Sequence, residues 1–218
     1  MAQSPLLPLL DSELERNEAA VAQYQAALAG DQETLYYLQV ERELEEGTLA
    51  SARVGLVDDP HPGHEGLEGW LVIPYLGLEG EVLKIRFRRP PGSDHKAKYR
   101  DLPHATPRIY NVQALQRARD WICITEGEFD TMALGQIGIP SIALPGAQAW
   151  KPHYRKVLAG FSRIHLLGDP DDAGREFNDK IQQAMRVAHA VKLSKDVNDT
   201  LVEEGPDAIW EAIGEERG

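Results

Sequence analysis

The sequence predicts an α/β fold: a parallel sheet of about four strands flanked by helices, preceded by a mixed α+β subdomain. Three observations predict it. Beyond residue 108, short apolar runs alternate with helical patterns, the mark of βαβ units with right-handed crossovers. Before residue 108, helix-rich segments lead into two strand-like stretches joined by a turn signal, "LGLEG". Finally, 218 residues with 42% hydrophobic content suffice for one large or two small packed cores. The expected subdomains are residues 1–108 and 109–218.

Taken in order, residues 13–29, "ELERNEAAVAQYQAALA", favour a helix that Gly30 is placed to end. A second helical stretch starts behind Asp31, a suitable N-cap, and Gly47 is placed to break it. Residues 58–69 are dense in Gly and Pro and read as a loop. His61 and His64 within it could bind a metal, but without further ligands nearby a solvated turn is the preferred reading. "WLVIPY" and "EVLKIRFR" are strands; residues 89–107, with four prolines and no periodicity, read as an irregular basic segment. In the second half "WICIT", "PSIAL", "RIHLLG" and "HAVKL" are the strands. Helices are expected in "FDTMALGQIG", "AWKPHYRKVLAG", "AGREFNDKIQQAMR" and "DAIWEAIG". Trp70, Trp121 and Trp210 are expected in the core, while Trp150 could be buried or exposed after its glycine-bearing turn.

Composition excludes several classes. No apolar run approaches the roughly 20 residues of a membrane helix, and the N-terminus lacks the pattern of a secretion signal. The single cysteine, Cys123, excludes a disulfide framework and a multi-cysteine zinc site, and reads as a buried structural thiol. A soluble intracellular protein is expected. The net charge of −12 argues against indiscriminate nucleic-acid binding. That average hides a segregation: residues 84–119 carry ten Lys/Arg against only Asp94 and Asp101, a net of +8, which leaves −20 elsewhere. Such a segment suits a polyanion, or else a solvated loop that balances the acidic remainder.

Carboxylates gather where chemistry gathers in an open parallel sheet, at the carboxyl ends of strands. "WICIT" ends at "EGEFD", with Glu126, Glu128 and Asp130; "RIHLLG" ends at "DPDDAG", with Asp169, Asp171 and Asp172; "HAVKL" ends at "SKDVND", with Asp196 and Asp199. Converging like charges are costly unless cations neutralise them, and hard oxygen donors point to Mg²⁺ or Mn²⁺. Two such ions stabilise attacking and leaving oxygens in phosphoryl transfer. Other roles compete. Asp172 is best read as a helix N-cap, Asp130 has the same alternative, and Asp196 and Asp199 could be turn residues. Gly127 and Gly174 could relieve backbone crowding or let a phosphate or metal approach.

A strand ending in Glu-Gly-x-x-Asp, followed about 40 residues later by a strand ending in Asp-x-Asp-x-x-Gly, resembles a TOPRIM domain. "KDVNDTL" resembles the Lys-Asp-x-Asn-Asp-x-Leu segment of primases and phage primase-helicases. In the first half, "YLQVERELEEGTLASARVGLV", "GWLVIPYLGLEGEVLKIRFR", "KAKYRDLP" and "PRIYNVQAL" resemble successive parts of the bacterial-type primase catalytic core. The resemblance spans roughly residues 20–205, and departs at Glu43, where glycine is usual, and at Thr125, where an apolar residue is usual.

The resemblance implies a primase catalytic core, with a TOPRIM domain behind a mixed α+β subdomain, that makes short RNA primers on a single-stranded DNA template from nucleoside triphosphates. It implies Glu126, Asp169 and Asp171 as catalytic residues, and Glu126, Asp169, Asp171 and Asp196 as ligands for two or more Mg²⁺ or Mn²⁺ ions. Arg86, Arg88, Lys98, Tyr99 and Lys195 would face nucleotide or template, although a lone aromatic such as Tyr99 also suits plain packing. No zinc is expected, because neither a zinc-binding module nor a helicase domain is visible. A replicative helicase, or a separate zinc-bearing or template-selecting subunit, would supply those functions. The expected location is the cytoplasm, the host's if the chain is phage-encoded. A TOPRIM nuclease and a non-catalytic DNA- or partner-binding module are the rivals.

Overall fold

A computed structural model describes residues 8–93, 95–103, 105–145 and 150–217. The chain divides into two compact units. One runs as far as Leu35 and resumes over Ala50–Arg108; the other comprises Tyr36–Leu49 and the chain from Ile109.

In the first unit, helix α1 (Asp11–Gly30) is followed by α2 (Gln32–Tyr36), which opens on Asp31 as expected: the Thr34 amide donates to its Oδ1 at 2.8 Å. Downstream of helix α3 (Glu46–Ser51) come strands β1 (Gly55–Leu56), β2 (Leu71–Leu76), β3 (Val82–Arg88) and β4 (Tyr99–Asp101). They pair antiparallel in chain order. The two-residue period sends Ile85 and Phe87 to one face, against Val21 and Tyr24 of α1, and Lys84, Arg86 and Arg88 to the other. A Cβ on Gly55 would lie 2.7 Å from the Tyr24 backbone, so only glycine lets β1 come this close to α1. Strand β4 lies in the stretch read as irregular; its order comes from pairing with β3, which no local periodicity reports. Asp94 lies outside the described residues.

The histidine pair departs from the solvated reading. His64 is buried, with Nδ1 2.9 Å from the Tyr24 hydroxyl and its ring edge-on to Phe87. His61 is half-buried, with Nε2 2.9 Å from Gln23 Oε1. The loop is drawn in by α1, a long-range contact its Gly/Pro content could not report.

The second unit begins with a π-helical turn, Tyr37–Glu41, ending at Arg42. The helix break falls at 42–45, where Glu43 adopts φ 49°, and Gly47 lies inside α3 instead of breaking it. Gln136 brackets the break: its Oε1 accepts from the Glu45 amide at 2.7 Å and its Nε2 donates to the Glu43 carbonyl at 2.8 Å. Then follow α4 (Ala114–Arg117), β5 (Trp121–Thr125), α5 (Glu128–Gln136), β6 (Ser141–Ala143) and α6 (Tyr154–Val157). The chain ends with β7 (Arg163–Leu167), α7 (Asp172–Ala184), β8 (Ala188–Ala190), α8 (Val197–Glu204) and α9 (Pro206–Ile213). The sheet is parallel in the order β6-β5-β7-β8, as the alternating pattern predicts. Ile122, Ile124, Ile142, Ile164, Leu166 and Phe177 form its core. Trp150 belongs to that core, Trp210 and Cys123 are buried, and Trp121 is half-buried. The turn at 146–149 lies outside the described residues. Helix α8, not foreseen, grows from the "KDVNDTL" segment. Among the described residues no helix is long and apolar enough to cross a membrane.

Candidate metal and nucleotide site

The sheet register builds the acidic site. Thr125 pairs with Leu167, so Glu126 and Gly168 leave β5 and β7 side by side, and Asp169 follows. From β5 the chain crosses to β6 on one flank; from β7 it crosses to β8 on the other. The gap between β5 and β7 is therefore the topological switch point, where an open α/β sheet offers a crevice. There the Asp169 amide donates to Glu126 Oε1 at 3.0 Å. Burial raises the Glu126 carboxyl above the usual range, and the charges of Asp169 and Asp171 add to this, against the lowering effect of the Asp169 amide.

Close backbone packing shapes this turn. A Cβ on Gly174 would lie 1.9 Å from the Asp169 carbonyl oxygen, and one on Gly168 would lie 2.7 Å from the Gly174 carbonyl oxygen. Asp171, not Asp172, caps α7: its Oδ1 accepts from the Gly174 amide at 2.8 Å. Asp172 is exposed and pairs with Arg175 one turn on. Asp130 is not a cap either, since α5 starts from Gly127; it is buried and accepts from the Asn198 amide at 3.1 Å.

Asp196 joins a different set of contacts. It caps α8, accepting from the amide of Asp199 in the first turn of that helix at 2.7 Å. Arg42 Nη1 lies 2.6 Å from Asp199 Oδ1, Arg42 Nε bonds the Tyr37 hydroxyl at 3.2 Å, and Asn198 Nδ2 donates to the Arg42 carbonyl at 2.8 Å. Sequence reasoning passed over Arg42 and Asn198. The signals were Arg42 beside the departing Glu43, and Asn198 within the primase-like "KDVNDTL" segment. Lys195 is exposed and paired with Glu203.

The basic face of β3 lies in the first unit. The Arg86 guanidinium sits 4.4 Å from the centre of the Tyr99 ring, and Arg88 Nη1 lies 2.6 Å from the Tyr99 hydroxyl. Lys98 Nζ is 5.8 Å from the same ring. Lys84 Nζ rests over Tyr75 and pairs with Asp101 at 2.7 Å, with Arg86 Nε 4.0 Å from the same carboxylate. Tyr99 is thus a packing platform for cations. Arg88 is buried, while Arg86 and Lys98 keep part of their surface.

Among the described residues no three His, Cys, Asp or Glu side chains converge into a preformed metal cage. Mg²⁺ needs none: it takes one or two carboxylates and fills its remaining positions with water and phosphate. Glu126 and Asp169, close enough to perturb one another, fit that pattern.

A family model described as Toprim-like matches residues 123–201. The Gene 57 protein of Mycobacterium phage D29 is 37% identical over 151 residues, covering 66% of this chain and 98% of that protein. The RNA polymerase domain of Mycobacterium tuberculosis primase DnaG, in complex with a double-stranded DNA oligomer with a 6-nucleotide overhang, superposes with a TM-score of 0.79 at 19% identity, covering 96% of this chain and 82% of that one. A DnaG primase catalytic domain bound to ssDNA gives 0.71 at 18% identity, covering 92% and 77%. The primase fragment of the bacteriophage T7 primase-helicase gives 0.63 at 22% identity, covering 79% and 72%. The fold is that of the primase catalytic core, with a TOPRIM-like second unit. Given its similarity along nearly the whole of the phage protein, the chain belongs to the family of the Gene 57 protein of Mycobacterium phage D29.

Proposed function

We propose that this protein is a primase catalytic core that joins ribonucleoside triphosphates into short primers on single-stranded DNA. The observation that carries this reading is Glu126 and Asp169 meeting at the switch point of a parallel sheet, in a chain that has the primase fold over nearly all its length. In the reaction a 3′-hydroxyl oxygen attacks an α-phosphorus, the bond to the bridging oxygen breaks and pyrophosphate leaves. A bound Mg²⁺ or Mn²⁺ would supply charge neutralisation at the transferring phosphate. Glu126 and Asp169 would hold it, with Asp171 adding negative charge; Asp196, the cap of α8, is a further candidate. Burial leaves Glu126 a better proton acceptor than an ordinary carboxylate, suited to the proton the hydroxyl releases. Arg86, Arg88 and Lys98 on their Tyr99 platform serve template or triphosphate. Such contacts position the strand without reading sequence. Lys195 has the same assignment, in exchange for its present partner Glu203.

A net charge of −12 makes unaided template capture weak at physiological salt, so a helicase or a zinc-bearing, template-selecting partner is expected to raise activity about tenfold. The reaction belongs in the cytoplasm, the host's for a phage-encoded chain. The test is incubation with labelled ribonucleotides, single-stranded DNA and Mg²⁺ or Mn²⁺. New short RNA is the expected product. Shortened DNA would instead identify a nuclease, and binding without either product a non-catalytic module.

A further inference from the structure

Behind Glu126 lies a pair of buried hydroxyls that the chemistry above does not use. Thr125 and Thr131 are both essentially inaccessible to solvent, and their Oγ1 atoms lie 2.7 Å apart. Each also reaches the carbonyl oxygen of Gly127, Thr125 at 3.0 Å and Thr131 at 3.1 Å. That carbonyl already accepts the first helical bond of α5, from the Thr131 amide at 3.2 Å. A threonine in the first turn of a helix often bonds back to the carbonyl four residues earlier. A second hydroxyl, reaching the same oxygen from the last residue of a buried strand, is not required by helix geometry. Nor does packing require it, since valine has nearly the same shape.

We propose that Thr125 and Thr131 are positioning residues that clamp the Gly127 carbonyl and so hold the backbone on both sides of Glu126. The proposal rests on the reading of Glu126 as a working carboxylate of the site. Glu126 lies between Thr125, fixed in β5 by its parallel neighbours, and Gly127, fixed by the clamp. With both peptides held, its side chain has a fixed origin from which Oε1 meets the Asp169 amide. The clamp is redundant by proton count. Two hydroxyls have two protons for three contacts, so either can serve the carbonyl while the other serves its partner. Losing one hydroxyl leaves the carbonyl bonded. Losing both leaves it with the Thr131 amide alone.

The redundancy makes a sharp test. Thr125→Val and Thr131→Val are each expected to keep Mn²⁺ affinity and kcat within about 1.3-fold, whereas the double variant loses about tenfold in both, well beyond the roughly 1.7-fold that additive single effects allow. KM for template and nucleotide is expected to stay within about twofold, and a Thr125→Ser/Thr131→Ser double to behave as wild type. The Asp169 amide proton, followed by NMR without metal, reports the clamp directly. It is expected to move in the Val/Val double towards its position in Glu126→Gln. If the Val/Val protein does not fold, Thr125→Val/Thr131→Ala is used in its place. An unmoved Asp169 amide in a folded double variant overturns the proposal, as do strictly additive single effects. If Glu126→Gln leaves Mn²⁺ affinity intact, it is the metal reading that falls, and the Asp169 amide still decides the clamp.

Discussion

Replacing Gly174 by alanine should cost this protein both stability and activity, although one methyl group is a small change. The added Cβ would stand 1.9 Å from the Asp169 carbonyl oxygen and 2.6 Å from the Asp169 nitrogen. Carbon–oxygen contacts are comfortable only beyond roughly 3.3 Å, so the turn must open by about 1.4 Å. Neither side yields easily, because Gly174 is in the capped first turn of α7 and Asp169 leaves the central strand β7. Forced overpacking of this kind costs about 1–3 kcal/mol, a fall of roughly 2–12 °C in Tm for a chain of this size. The amide that opens away is the one that holds Glu126. A displacement near 1 Å at a reacting centre can cost about a hundredfold in rate, so primer synthesis should fall by about that factor. Gly47→Ala is the matched control. Nothing lies within 4 Å of its added Cβ, and it is in a helix, so it should gain a few tenths to about 1 kcal/mol with activity unchanged. Thermal unfolding and primer-extension gels on both variants decide the matter. A Gly174→Ala protein with wild-type Tm and wild-type synthesis would refute the reasoning.

Glu43→Gly should stabilise the protein by about 1 kcal/mol by relieving a left-handed backbone, seen as a higher urea midpoint; an unchanged or lower midpoint counts against it. Glu126→Gln should abolish synthesis yet raise Tm without metal near pH 7. The folded-state pKa of Glu126 lies above its unfolded value, so the stability it contributes is complete below the unfolded pKa and is lost as pH rises through the folded one. The advantage of the glutamine should therefore disappear at acid pH, and a constant difference across the pH series would contradict the assignment. Joint replacement of Arg86, Arg88 and Lys98 by alanine should weaken binding to single-stranded DNA and make its salt dependence shallower. Unchanged affinity and slope would assign that face to internal charge balance.

The βαβ alternation, the parallel sheet and the three strand-end acidic clusters were legible in the sequence, because a two-residue or 3.6-residue period and a breaker residue are local properties. So was the capping role of Asp31, set by residues three apart. What needed the tertiary structure depends on segments far apart in the chain. Strand β4 exists because β3 offers it an edge, and His64 is buried because α1 passes over it. The local sequence favoured Asp172 as the cap of α7, and the structure gives that role to Asp171. The choice falls to Asp171 because Gly174 must press against the Asp169 backbone, which brings its amide onto the Asp171 carboxylate. Arg88, expected to face nucleotide or template, is buried and bonds the Tyr99 hydroxyl. The sequence by itself determined which residues could do the chemistry, since residue type and local period are written in it. Only the tertiary structure decided which of them meet, because register between β5 and β7 is a long-range pairing: it joins Glu126 to Asp169 across 43 residues and leaves Asp196 with Asp199 at the head of α8.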